Sequence, residues 1–166
     1  MVFNHLDVES LKNCLTTYGK ELLEYLAEKQ IVLDGKKLKG MSPTGTQTKI
    51  AELIREGKGH YLLSVKGNQN ELLEDIQCAF KTHQGYDQSE ETDCDHGRIE
   101  TRRCSILPAK DFLLEENLKN WKDIVTLVKI DACREIKGVQ TKETRYYISD
   151  ENLTNAAYYR DLVRGH

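Results

Sequence analysis

Between His96 and Arg103 the chain reads His-Gly-Arg-Ile-Glu-Thr-Arg-Arg. Side chains on an extended strand alternate between its two faces, so Arg98, Glu100 and Arg102 share one face and Arg103 turns away. A guanidinium is planar and offers several donors in a fixed fork, which matches the oxygens of a phosphate. This pattern therefore has the chemistry to hold a phosphate backbone. It is equally the pattern of a solvated strand face whose Arg and Glu pair with one another and add little to stability. Other polar groups sit just after apolar runs. Lys36, Lys37 and Lys39 follow Asp34 at the end of Ile31-Val32-Leu33, and Lys66, Asn68 and Gln69 follow Tyr61 to Val65. Taken on residues alone, Asp34-Gly35 is a turn carboxylate and the lysines are solvated charge.

Cys94, His96 and Cys104 are the nearest approach to a metal-ligating cluster. Their spacing departs from the two to four residues that usually separate paired zinc ligands. The five cysteines are odd in number and widely spaced, with no Cys-x-x-Cys pair, which fits a reduced, cytoplasmic chain. The 166 residues carry 24 Lys and Arg against 27 Asp and Glu, a formal net charge of -3. No global positive field draws the chain to nucleic acid, so any such contact must be local. No stretch approaches the roughly 18 apolar residues of a membrane-spanning helix, and no basic segment with an apolar run opens the chain. No membrane partner is expected.

The elements that must position these residues follow from hydrophobic period and punctuation. Asp7 or Ser10 can cap a helix running to about Glu28. Ile31 to Gly35 reads as a short strand suited to the interior of a sheet covered by helices. Gly40, Pro43 and Gly45 mark a turn, after which Thr46 or Thr48 opens a helix bearing Ile50, Ala51, Leu53 and Ile54, ended by Gly57 and Gly59. Tyr61 to Val65 is the next strand. A helix capped by Asn68 or Asn70 follows, through Phe80, with Leu72, Leu73, Ile76 and Phe80 on one face. This alternation indicates an α/β layer. The polar, acidic stretch from His83 to Asp95 is expected to be a mobile loop. Strands are expected near 97–107, 123–131 and 143–149, with a short helix near Asp111 to Asn120 between the first two. A last helix runs from about Leu153 to Val163, capped by Asp150 or Asn152.

Several of these segments, in this order, resemble one family. They are Val65-Lys66-Gly67-Asn68-Gln69, the His96 to Arg103 run, Tyr146-Tyr147-Ile148-Ser149 and Val163-Arg164-Gly165-His166. The chain is similar to the H-repeat-associated (ISAs-type) insertion-sequence transposases, a branch of the DDE recombinases. The resemblance runs from near Val8 to the last residue. It implies a single domain over 1–166, a shortened RNase H-like transposase catalytic domain with an inserted β segment over 97–149. Such enzymes cut and rejoin DNA with two Mg2+ or Mn2+ ions held by three carboxylates, one ion activating the attacking oxygen and the other stabilising the leaving one.

Ile31 to Gly40 resembles the family's first catalytic strand, which makes Asp34 the counterpart of the first metal-binding carboxylate. Gly45-Thr46-Gln47 matches the later part of the element carrying the second, yet it follows Asp34 almost at once, as though the strands between were deleted. Ser42 stands where the second carboxylate falls, and a serine cannot replace an ionised carboxylate between two metal ions. The third carboxylate of the family lies beyond His166. Val128-Lys129-Ile130-Asp131-Ala132 imitates the missing strand, but its neighbours place it in the inserted β region. There Asp131 reads as an acidic residue at the exposed end of a strand.

The resemblance thus implies a transposase-family protein, internally deleted and C-terminally truncated, that is inactive as this chain. Its implied partner is double-stranded DNA at insertion-sequence ends, contacted through Arg98, Arg102, Arg103, Lys66, Lys36 and Lys39. A non-catalytic DNA-binding or regulatory protein of the same descent is the second reading, and an interaction module retaining the fold is the third. Lost strands leave unpaired sheet edges, which predicts self-association or a rearranged sheet.

Overall fold

The computed structural model describes residues 30–33, 43–95, 97–152 and 155–164. The expected first helix, Asp34, Lys36, Lys39, Ser42, His96 and His166 lie outside the described residues. The architecture is α/β. Strand β1 (Gln30–Leu33) is followed by helix α1 (Pro43–Glu56), β2 (His60–Val65) and α2 (Asn70–Thr82). Next come β3 (Asp87–Asp95), β4 (Arg98–Pro108), the short helices α3 (Ala109–Phe112) and α4 (Glu115–Asn120), β5 (Thr126–Ile136), β6 (Val139–Ser149) and α5 (Ala156–Arg164). The six strands form one sheet in the order β1-β2-β6-β5-β4-β3.

β1 and β2 run parallel, Leu33 opposite Leu63, with α1 as the crossover; every other pairing is antiparallel. The strand after Ile31 was expected inside the sheet, whereas β1 is an outer strand among the described residues. α1 opens at Pro43, ahead of Thr46, because proline is preorganised for the first helical turn. It closes with Lys58 at φ +59 and Gly59 N–H donating to Ile54 O, a left-handed cap that more often uses glycine.

Both faces of the sheet are covered. On one, Ala51 and Ile54 of α1 and Leu72, Ile76 and Ala79 of α2 pack with Trp121 against Tyr61, Leu63, Leu107, Leu127 and Ile148. On the other, Ala156 and Tyr159 of α5 pack on Leu62, Cys104, Ile106, Val128, Ile130 and Tyr147. β2 alternates between these two cores, which is why its residues 61–65 are all buried. Each large side chain removed from water here contributes about 1.5–3 kcal/mol.

The acidic stretch before Asp95 is a strand and not a loop. β3 pairs with β4 along its whole length, Asp87 opposite Ile106 to Asp95 opposite Arg98. Composition misled because alternation sends the acids to two faces, each supplied with cations. Glu90 meets Arg103 on one face, while Glu91 and Asp93 meet Arg160 and Arg164 on the other. The β region therefore begins upstream of residue 97. The expected helix near Asp111 to Asn120 is two short helices, interrupted at Leu113 and Leu114. β5 and β6 extend further than expected and form a hairpin. Lys137 (φ +50) and Gly138 (φ +79) make its two-residue turn, in the conformation whose twist suits paired strands.

Candidate functional site

Glu100 lies where β4 is flanked by β3 and β5, opposite Asp93 on one side and Arg134 on the other. Its carboxylate is 6% exposed and gathers three guanidiniums. Arg98 donates to Oε2, Arg102 Nη2 lies 2.6 Å from Oε1, and Arg134 Nε lies 3.5 Å from Oε2. Arg98, Arg102 and Arg134 remain 45%, 24% and 47% exposed. One carboxylate thus fixes three cations at a partly open surface, and local positive charge is left over. The alternation that put Arg98, Glu100 and Arg102 on one face holds, and so does the pairing of Arg with Glu that the solvated-face reading required.

Helix α5 borders this group. It lies along β3, its Ala156 N–H donating to Asp87 Oδ2 at 2.7 Å, Arg160 Nη1 to Ser89 Oγ at 2.7 Å, and Arg164 reaching Glu91 and Asp93 at 3.1 and 2.7 Å. Four residues of helix rise about 6 Å and two of strand slightly more, so positions 156, 160 and 164 keep step with alternate residues of β3. The helix is capped by Asn155, whose Oδ1 accepts from Tyr158 N–H at 2.8 Å, in place of the expected Asp150 or Asn152; Asp150 is engaged by His60 and Tyr61. Where α5 ends, a hollow of about 390 Å³ opens between Arg102, Arg134, Arg145 and Arg164, with Ile130, Ala132 and Val163 among its lining.

The other expected DNA-contacting residues are dispersed. Arg103 points to the opposite face, where its Nη2 lies 2.5 Å from Glu90. Lys66 is exposed at the end of β2, beside Arg145 and Tyr146 in a separate hollow. Asp131 sits within β5 and not at its end, 2.7 Å from Lys129 Nζ and accepting from Thr144 Oγ1 at 2.6 Å. Cys94 is opposite Ile99 and Cys104 opposite Ser89, at far ends of the β3–β4 ladder and on opposite faces, so they cannot share a metal ion. Among the described residues no group of three His, Cys, Asp or Glu is placed to hold one. The motif glutamines do meet: Gln69 Nε2 donates to Gln47 Oε1, while Gln69 Oε1 is buried without a partner among the described residues.

A second cluster, around Asp150, has no signature in the sequence. Asp150 follows β6 with a fully buried side chain. Its Oδ2 lies 2.8 Å from Arg55 Nη1 and 2.8 Å from His60 Nδ1, and its Oδ1 accepts from Tyr61 N–H at 2.6 Å. Arg55 also donates to Asp123 and to Gly59 O. This cluster ties the end of α1 to β2 and to the end of β6. Tyr158 and Tyr159 stack edge to face at 5.3 Å, Tyr159 wholly buried and Tyr158 partly so. That is core packing.

No protein-family model matches the chain, and no solved structure matches it. Three curated proteins are similar to it. A putative transposase, YncI, of Escherichia coli O157:H7 is 29% identical over 175 aligned positions, covering all of this chain and 42% of that protein. Putative protein YbfL of Escherichia coli K12 is 34% identical over 133, covering 74% of the chain and 34% of the protein. An uncharacterized protein encoded in the dhlA 3' region of Xanthobacter autotrophicus is 36% identical over 110, covering 63% and 36%. The chain spans between 34% and 42% of the length of these relatives. The whole-chain similarity makes it transposase-like. Among the described residues no helix is long and apolar enough to cross a membrane.

Proposed function

We propose that this chain is a segment of transposase descent whose β4–β5–β6 face binds the phosphate backbone of DNA without cutting it. The observation that carries the reading is the convergence of Arg98, Arg102 and Arg134 on Glu100 at a partly exposed sheet face. The carboxylate holds the guanidiniums in place before a ligand arrives, and their unused donors face outward to phosphate. Support for the descent comes from the similarity to a putative transposase along the whole chain. A parallel β1–α1–β2 crossover is in keeping with a shortened RNase H-like domain, and residues 97–149, read as its inserted segment, contain the antiparallel strands β4, β5 and β6.

In such a domain Mg2+ or Mn2+ does the chemistry. The residues do not fit a metal pair, because the second carboxylate position is Ser42, and no described cluster supplies substitutes. No cleavage step is assigned to this chain.

Duplex affinity measured against salt tests the reading. Each phosphate neutralised contributes about 0.9 to the slope of log K against log salt, so Arg98→Ala and Arg102→Ala should each lower the slope by about one. Salt-insensitive binding, or none at low salt, rules the reading out. Incubation with supercoiled DNA and Mn2+ should yield no nicks, and nicking lost in Asp34→Ala would overturn the non-catalytic assignment.

A further inference from the structure

The hollow at the end of α5 has a composition that a simple backbone-contacting surface does not need. It lies beside the last turn of α5, where Ala132, opposite Arg102 on β4 and Glu143 on β6, has no side chain long enough to fill the space. Ile130 and Val163 give it an apolar side, while Arg102, Arg134 and Arg145 outnumber the carboxylates of Glu100 and Glu143 on the other. A volume of about 390 Å³ is at the lower end of that of small-molecule sites. A duplex can lie across such an opening and cannot enter it.

The guanidiniums are not equally committed. Arg102 approaches Glu100 at 2.6 Å and Arg164 is held by two β3 carboxylates, whereas Arg134 stands 3.5 Å from a carboxylate oxygen already shared with Arg98. Arg145 is oriented by Glu143 through two hydrogen bonds, of 2.8 and 3.0 Å, which aim its planar fork. The site therefore pairs an apolar wall with one incompletely neutralised guanidinium, Arg134, and with Arg145, whose position Glu143 fixes by pairing with it.

We propose that this hollow binds a single nucleotide, with its phosphate on Arg134 and Arg145 and its sugar or base against Ala132, Ile130 and Val163. The same chemistry is presented by a free mononucleotide and by an unpaired nucleotide at a DNA strand end. This rests on reading the β4–β6 face as a nucleic-acid surface, and it adds that the face distinguishes unpaired nucleotides from duplex.

Ala132→Leu fills the hollow without changing charge, and Arg134→Ala with Arg145→Ala removes the phosphate partners. Fluorescence anisotropy with a 5'-phosphorylated single-stranded oligonucleotide is the readout, with adenosine monophosphate and closed circular duplex as competitors and a thermal melt to confirm folding. Both variants should weaken oligonucleotide binding by roughly tenfold, while Ala132→Leu leaves competition by closed duplex unchanged. Competition by the mononucleotide identifies free nucleotide as a ligand; competition by oligonucleotide alone identifies a strand end, and either supports the proposal. Single-strand binding unaffected by Ala132→Leu and by the double substitution overturns it, with the duplex reading intact. Single-strand binding without duplex binding upholds the hollow and removes the duplex reading, and binding to neither removes both.

Discussion

Arg55 and Asp150, 95 positions apart in sequence, are joined at 2.8 Å by the Nη1 of one and the Oδ2 of the other, and the carboxylate end of this pair is wholly buried. His60 Nδ1 and Tyr61 N–H complete the shell around Asp150, so one side chain links the exit of α1, the start of β2 and the exit of β6. A buried carboxylate held by three donors is a point where removal of a partner leaves an uncompensated charge. The penalty falls unequally on the two ends, because Asp150 is enclosed while Arg55 is 25% exposed and keeps Asp123.

Arg55→Ala, which leaves the enclosed Asp150 carboxylate without its guanidinium, is accordingly expected to destabilise the fold by about 3–5 kcal/mol. Asp150→Ala should cost less, about 1–3 kcal/mol, since Arg55 keeps Asp123 and water while the Tyr61 N–H loses its acceptor. Urea denaturation of both single variants and the double variant gives their coupling. A double-mutant cycle showing additive losses would mean that the pair acts as two separate surface charges.

Glu100 predicts a trade between stability and binding. Glu100→Gln keeps the shape of the side chain and withdraws the charge that holds Arg98, Arg102 and Arg134. Because those guanidiniums are a quarter to a half exposed, water screens much of the loss, and the expected destabilisation is about 1–2 kcal/mol. The same change adds one positive charge to the face, so low-salt affinity for duplex should rise. A drop in both properties would show that fixing the arginines in place matters more to binding than their net charge.

Strand alternation alone predicted that Arg98, Glu100 and Arg102 share a face, and helical spacing predicted the packed face of α2, whereas Leu53 of α1 is exposed. Both signals are local. Arg134 was not legible, because its place opposite Glu100 depends on the β4–β5 register. The strand near 123–131 was expected to end before Arg134, and the Lys137-Gly138 turn that sets the β5–β6 hairpin went unrecognised. The acidic β3 was hidden for a related reason. Its charges are tolerable only once Arg103, Arg160 and Arg164 are brought beside them, and pairings between residues so distant in sequence leave no local trace. Arg55 and Asp150 are the extreme case, each ordinary in its own neighbourhood.

Alkaline pH should unfold this protein more readily than its near-neutral net charge suggests. Burial pushes the Cys104 thiol up from 9.0 to about 12, with Arg160 opposing and Asp87 assisting. Burial also raises Tyr61 and Tyr158 above the usual tyrosine value. Each group is held in its protonated form by the fold. Above its ordinary value the unfolded chain binds fewer protons than the folded one, so stability is intact below pH 9 and declines as pH rises from there towards 12. One such group contributes a slope of at most about 1.4 kcal/mol per pH unit. Between pH 9 and 10, where tyrosine has yet to contribute fully, Cys104→Ala should lower the urea midpoint overall and flatten its dependence on pH. Parallel curves for the variant and the parent would remove Cys104 as the cause.

The turn that sets the β5–β6 register offers two substitutions of opposite sign. Lys137 and Gly138 both have positive φ, +50 and +79, a region that disfavours residues bearing a Cβ. A Cβ at Gly138 would meet nothing within 4 Å, so Gly138→Ala isolates the backbone term, and a loss of about 1 kcal/mol is expected with no packing contribution. Lys137 already bears that strain. Asparagine tolerates the left-handed region better and forms the favoured Asn-Gly turn, so Lys137→Asn should stabilise the hairpin by about 0.5 kcal/mol. Both variants should keep the parental urea m-value, since neither changes the surface buried on folding. If the two shift the midpoint in the same direction, the turn does not control pairing as its dihedral angles indicate. If they diverge as expected, the turn fixes the β5–β6 register, which sets Arg134 opposite Thr141 and Ala132 opposite Glu143.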